Sequence, residues 1–106
     1  MRRDRRVVVT GLGLATPLGL DLEDSWEKML SGTSAIKKID TPITDKSPIQ
    51  AVGAVSDGDW EKIKTELKVH VANEGERRTL FALWAAKEAI KDADLMPDEA
   101  DRLNRN

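Results

Sequence analysis

Along the chain the apolar positions change spacing several times, and each spacing points to a different element. Val7, Val8, Val9 and Thr10 form a β-branched run between Arg6 and Gly11. The run does not alternate, so it reads as a strand buried on both faces. The next stretch, GLGLATPLG over residues 11–19, carries three glycines and Pro17 and reads as a turn-rich loop. From Asp21 the spacing becomes helical: Leu22, Trp26, Met29 and Leu30 stand at i, i+4, i+7 and i+8, on one face. Asp21 is the expected N-cap, acids fill the first turn, and Gly32 is placed for a left-handed helix end.

Residues 33–50 are polar and carry Pro42 and Pro48, which predicts mostly loop with an extended piece over 35–39. The AVGAV run at 51–55 predicts a second short strand, weakened by Gly53. Asp57, Gly58 and Asp59 open a small helix with Trp60, Ile63 and Leu67 on one face. Val69, His70 and Val71 either continue it or form an extended link. A last helix is expected over about 76–93, with Ala82, Leu83, Ala85, Ala86, Ala89, Ile90 and Ala93 on one broad, mostly alanine face. Such a face lets the helix backbone come close to its neighbour. Lys87, Glu88, Lys91, Asp92 and Asp94 line the other side. Leu80 and Trp84 share an azimuth with Lys87 and Lys91, so either another segment covers them or they form an exposed patch that takes a partner.

Composition removes most site chemistry. The 106 residues suit one small domain or part of a larger one. With no cysteine, a disulfide framework, a Cys-ligated zinc site and a thiol nucleophile are excluded within this chain. A single histidine excludes any site that needs two. Seventeen basic against nineteen acidic side chains give a net charge of −2, which offers no global attraction to nucleic acid or acidic membrane. The basic opening followed by the weakly apolar residues 7–20 imitates a signal peptide. Three glycines, Pro17, Thr10 and Thr16 interrupt it, and no small-x-small cleavage site precedes Asp21. No stretch approaches the roughly 18–20 apolar residues of a membrane span. A cytoplasmic protein without nucleic-acid or membrane partners is the expectation.

Few motifs survive scrutiny. Gly11-x-Gly13 after a strand suggests dinucleotide binding, but Thr16 stands where a third glycine is needed and Pro17 delays the helix, so a tight strand-to-loop exit is the better reading. His70 has no partner for metal ligation, and Asp57-x-Asp59 lacks the remaining calcium ligands. No metal site, cofactor or catalytic residue is expected. Asp98, Glu99 and Asp101 read as a solvated tail, and the arginines of residues 2–6 as a solvated arm. Arg77 and Arg78 stand out because cations at a helix N-terminus oppose the helix dipole. They point either to an anionic partner or to local pairing with Glu74 and Glu76.

These segments, in order, resemble the start of the β-ketoacyl-acyl-carrier-protein synthases, the elongating condensing enzymes. The matching residues are RRVVVTGLG at 5–13, TPLG at 16–19, Trp26 with LSG at 30–32, Ser34-x-Ile36, AVGAV at 51–55 and AAKEAIKDA at 85–93. The resemblance covers nearly all of this chain and about the first quarter of a family enzyme. It implies an α/β, thiolase-like fold. Residues 1–106 would be an incomplete N-terminal part of it, with short strands and about three helices. It further implies decarboxylative Claisen condensation in fatty-acid or polyketide elongation, through a cysteine and two histidines that would lie beyond residue 106. This chain alone would then be inactive, and His70 matches neither family histidine.

The resemblance also implies that basic residues just before the last helix dock an acidic acyl carrier protein, and Arg77 and Arg78 match two such positions. Glu74 departs from a position that often carries lysine, and Thr79 and Leu80 replace the usual Met-Asp. Family members continue after Arg102 and Leu103 into a central strand, whereas here Asn104, Arg105 and Asn106 follow. The chain would thus end before the next core strand. Residues 7–10 would then pair with 51–55, pair with another chain, or be partly ordered. The remainder of the synthase or another copy of the chain is the further partner implied. The competing function class is a stand-alone, non-catalytic interaction domain that binds a carrier or a synthase.

Overall fold

The computed structural model describes residues 4–39, 47–67 and 76–95. In chain order these hold helix α1 (Leu22–Leu30), strand β1 (Ile36–Lys38), strand β2 (Ala51–Gly53), helix α2 (Asp57–Leu67) and helix α3 (Arg77–Asp92). The α/β make-up of short strands with three helices agrees with the sequence. His70, Glu74, the 69–71 link, the acidic tail and Arg102 with Leu103 lie outside the described residues.

The helix boundaries follow from local chemistry. The Asp21 carboxylate accepts the Asp24 amide at 2.7 Å, which satisfies an amide that has no partner within the helix. At the other end Gly32 turns to φ +73, and the Thr33 amide reaches back to the Lys28 carbonyl, a bond that needs the left-handed residue between. Ser56 opens α2 by accepting the Asp59 amide on its hydroxyl and the Trp60 amide on its carbonyl. α3 starts at Glu76 without a side-chain cap and with no acid in its first turn. It ends with Asp94 at φ 56 and the Leu95 amide on the Ile90 carbonyl, the same closure as α1.

Leu20, Ile63, Leu80 and Trp84 make the buried core, with Ala15, Val55, Trp60, Leu67 and Phe81 packed around it. Leu80 and Ile63 are fully buried, so α2 is the segment that covers the Leu80 and Trp84 azimuth. The alternative of an exposed Leu80–Trp84 partner patch is thereby corrected. The Trp84 indole also donates to the Leu20 carbonyl at 2.8 Å, a buried bond that satisfies both groups.

α3 uses its alanine face against the glycine loop. A Cβ on Gly11 would lie 2.3 Å from the Ala89 carbonyl oxygen, and one on Gly13 would lie 1.9 Å from that of Ala85. The Leu12 amide donates to the Asp92 carboxylate at 2.9 Å and pins the contact. These two glycines therefore serve a close approach of backbone to helix; the loop is tight as expected, but no strand leads into it. The outer part of the expected face is not covered: Ala82, Leu83, Ala86 and Ile90 are exposed.

From Thr16 to Leu20 the loop is organised by one hydroxyl. Thr16 Oγ1 donates to the Gly19 carbonyl and accepts the Leu18 and Gly19 amides. It also lies 3.1 Å from the hydroxyl of buried Ser25, a hydrogen bond that either hydroxyl can donate. Gly19 lies against Asp24 and Ser25, and Lys28 Nζ donates to the Leu18 carbonyl at 2.7 Å and to Asp24 at 2.8 Å. The loop consequently packs on the polar side of α1. Leu22, Trp26, Met29 and Leu30, the stripe expected to face inward, are exposed.

β1 and β2 pair antiparallel, Ile36 with Gly53, Lys37 with Val52 and Lys38 with Ala51. Residues 7–10 are not a strand, and Val7 is 90% exposed. This corrects both the buried strand and its pairing with 51–55: β2 pairs with β1 in a two-stranded sheet that residues 7–10 do not join.

Two predictions follow from these contacts. Gly13→Ala should destabilise by about 1–3 kcal/mol, because backbone rather than a flexible side chain meets the new methyl. Gly58→Ala, with open space around it in the first turn of α2, should be neutral or stabilising by up to ~1 kcal/mol; urea unfolding of both checks the contrast. The Lys28 amine is held above its ordinary pKa of 10.5 chiefly by its hydrogen bond to Asp24, against partial desolvation. Its contribution is therefore complete below pH 10.5 and lost as pH rises through the raised value. The stability gap between the native protein and Lys28→Gln should be constant from neutral pH and close above 10.5, as measured by urea unfolding across that range.

Candidate functional site

The two arginines singled out from the sequence open α3, where it leaves the α2–α3 seam. α2 supplies Trp60, one turn before the core residue Ile63. α3 supplies Phe81, one turn after Arg77. The Trp60 and Phe81 rings meet edge to face with centroids 5.7 Å apart and planes at 76°, a favourable arrangement for two quadrupoles. Around this pair the cations collect. The Arg77 guanidinium carbon lies over the Trp60 ring at 4.9 Å from its centroid, and Lys64 Nζ lies over the same ring at 5.6 Å. Lys62 Nζ lies 6.0 Å over the Trp84 ring.

Charge along the seam is only partly neutralised. Lys64 pairs with Glu61 on its own helix. Arg78 forms a forked pair with Glu76, Nε to Oε2 at 2.9 Å and Nη2 to Oε1 at 3.2 Å. Local pairing, one of the two readings of the arginines, thus holds for Arg78. Among the described residues Arg77 has no ion pair; its contact is the Trp60 ring. Both arginines are exposed. Leu80 and Trp84 lie beneath this corner as core. Sequence reasoning missed Trp60 as the support of Arg77 and missed Lys62 and Lys64. The i, i+4 spacing of Trp60 and Lys64 was a readable signal for one of these contacts.

Elsewhere the described residues offer less. A cleft of about 490 Å³ between the glycine loop, α1 and α3 is lined by Asp21, Glu23, Glu88 and Asp92. Its Asp21 carboxylate is committed to capping α1 and its Asp92 carboxylate to the Leu12 amide. A second cleft, of about 490 Å³, is lined by Lys28, Lys37 and Asp57, and there Lys28 is already bonded to Leu18 and Asp24. Among the described residues no three His, Cys, Asp or Glu side chains gather as a metal site, and no helix is long and apolar enough to cross a membrane. The arrangement presents cations on aromatic supports and can recognise an acidic surface.

Comparison with known proteins identifies the lineage. Residues 4–104 match the family described as Beta-ketoacyl synthase, N-terminal domain. A 3-oxoacyl-acyl-carrier-protein synthase 2 of Staphylococcus aureus (strain COL) is 33% identical over 105 residues, 97% of this chain and 25% of the relative. A putative polyketide beta-ketoacyl synthase 2 of Streptomyces halstedii is 33% identical over 101 residues, 95% of this chain and 24% of the relative. The chain spans about a quarter of the length of these curated relatives. With its RRVVVTGLG opening, its glycine loop under an alanine-faced helix and this match over residues 4–104, the chain belongs to the beta-ketoacyl synthase family, within that family's N-terminal domain.

Proposed function

We propose that this chain is the N-terminal structural and carrier-docking part of a 3-oxoacyl-acyl-carrier-protein synthase. In this reading the whole enzyme carries out decarboxylative Claisen condensation in fatty-acid or polyketide elongation. An acyl group held on a cysteine is attacked by the enolate released when a carrier-bound malonyl group loses carbon dioxide. The 106 residues contain no cysteine and one histidine, so the acyl-accepting thiol and the histidine pair belong to another part of the synthase, and this chain alone is inactive. It works in the cytoplasm, where its acidic partner is the acyl carrier protein.

The observation that carries the docking assignment is the exposed Arg77–Arg78 pair at the opening of α3, in a first turn with no acid. An overall charge of −2 gives no general pull on an acidic protein. A local cationic corner does, by raising the encounter rate and fixing orientation. The exposed Val7, Val8 and Val9 and the exposed stripe of α1 support a second contact, with the remainder of the synthase or another copy of the chain.

Titration of a purified acyl carrier protein tests the reading. Arg77→Glu with Arg78→Glu should weaken binding about tenfold or more, ~1.4 kcal/mol, with the loss larger at low salt. Unchanged affinity would remove the docking role. Acyl transfer to the chain by itself should be undetectable in a radiolabelled acyl-loading assay, and condensation without a cysteine would overturn the assignment.

A further inference from the structure

The two docking arginines are adjacent in sequence but differently held. Arg77 rests on Trp60, whose ring is fixed in turn by Phe81 one helical turn along α3. A ring beneath the guanidinium limits where the side chain can travel, yet it uses none of the guanidinium N–H donors. Arg77 is therefore a cation with its position set and its hydrogen-bonding capacity uncommitted among the described residues. Arg78 is the reverse. Both of its observed hydrogen bonds go to Glu76, the residue that precedes α3 and makes no side-chain cap bond to the helix. With 84% of the Arg78 side chain and 58% of that of Glu76 exposed, this pair is weakly held and can be exchanged for another carboxylate.

Resting on the docking reading above, we propose that Trp60 and Glu76 are positioning residues that give the two arginines different tasks. Trp60 holds Arg77 ready as the first contact for an acidic carrier. Glu76 withholds Arg78 until a carboxylate of the carrier replaces it. The seam thus reads an acidic partner in two stages, a preset charge and then an exchanged one. Trp60 does this without touching the partner, so its loss should mimic loss of Arg77.

The experiment is a titration of the intact protein with a purified acyl carrier protein, with thermal unfolding and nuclear magnetic resonance on each variant. Trp60→Leu should weaken binding about fivefold, most of the loss caused by Arg77→Ala, and the double variant should bind little worse than either. Trp60→Phe, which keeps a ring under the guanidinium, should stay within about twofold of the native protein. Glu76→Gln should tighten binding about two- to threefold by releasing Arg78. The Arg77 side-chain Nε–H resonance should show a ring-current shift in the native protein and Trp60→Phe and lose it in Trp60→Leu, with the Leu20 and Trp84 core resonances unmoved; loosening of the core would shift those as well.

A folded Trp60→Leu with native affinity, beside an Arg77→Ala that binds weakly, would overturn this proposal and leave the docking reading standing. If the Arg77→Ala and Arg78→Ala variants both bind as the native protein does, the docking reading itself fails. Should Trp60→Leu not fold, Trp60→Phe and Glu76→Gln still decide: a Glu76→Gln that binds no tighter than the native protein overturns the proposal.

Discussion

Residues 11–13 and α3 approach more closely than any pair of side chains would permit, and the rest of the structure is arranged around that approach. Gly11 and Gly13 face the carbonyls of Ala89 and Ala85 at distances where a methyl group has no room. Small residues on both sides of the contact bring loop and helix together, and the Leu12 amide on Asp92 fixes their register. The chain then continues to Leu20, whose carbonyl receives the Trp84 indole and whose side chain enters the core beside Leu80 and Ile63. α3 is thus held on two sides, by backbone proximity along its alanines and by side-chain packing along Leu80 and Trp84. Its N-terminal turn, with Arg77 and Arg78, is oriented by those two contacts.

Packing of α2 on α3 links this core to the cationic corner. Ile63 is buried on Leu80, and one turn earlier Trp60 emerges half-buried under Phe81 and Arg77. The same helix face therefore supplies a core residue and the support for a surface charge. A cation over an aromatic face at a half-exposed site is worth about 0.5–1 kcal/mol. That is enough to bias the position of a long side chain without burying its charge. Arg78, one residue on, points to Glu76 instead, so two like residues meet opposite local environments.

Helices and their ends were legible in the sequence because capping chemistry is local. Asp21 and Gly32 act on their own helix, and the three helices occupy the segments that periodicity marks out. The tightness of the glycine loop was legible as well, since Gly11 and Gly13 leave room for a close approach that no side chain would allow. What periodicity left open was which face each helix buries. The apolar stripe of α1 remains outside because the loop meets the helix through Thr16, Gly19 and Ser25, contacts whose partners are hydroxyls and backbone. Leu80 and Trp84 looked misplaced beside Lys87 and Lys91, yet they form the core because α2 and Leu20, far away in sequence, come to them. A β-branched run such as residues 7–10 states what its side chains tolerate and cannot supply the neighbouring strand that a ladder needs. Trp60 read as core from its spacing, and its second role depended on a cation from another helix.

The bond between Leu12 and Asp92 joins residues 80 positions apart. At a synthesis rate of about 5–20 residues per second, that separation corresponds to roughly 4–16 s. For that interval the glycine loop has left the peptidyl-transfer centre and the helix it lies against has not yet been completed. Helix α1 can cap and close in the meantime, since its signals are its own. The core cannot, because Leu20 waits for Trp84. Folding of this segment on the ribosome is accordingly timed by the appearance of α3, and Ala15 and Leu20 spend that time without their packing partners.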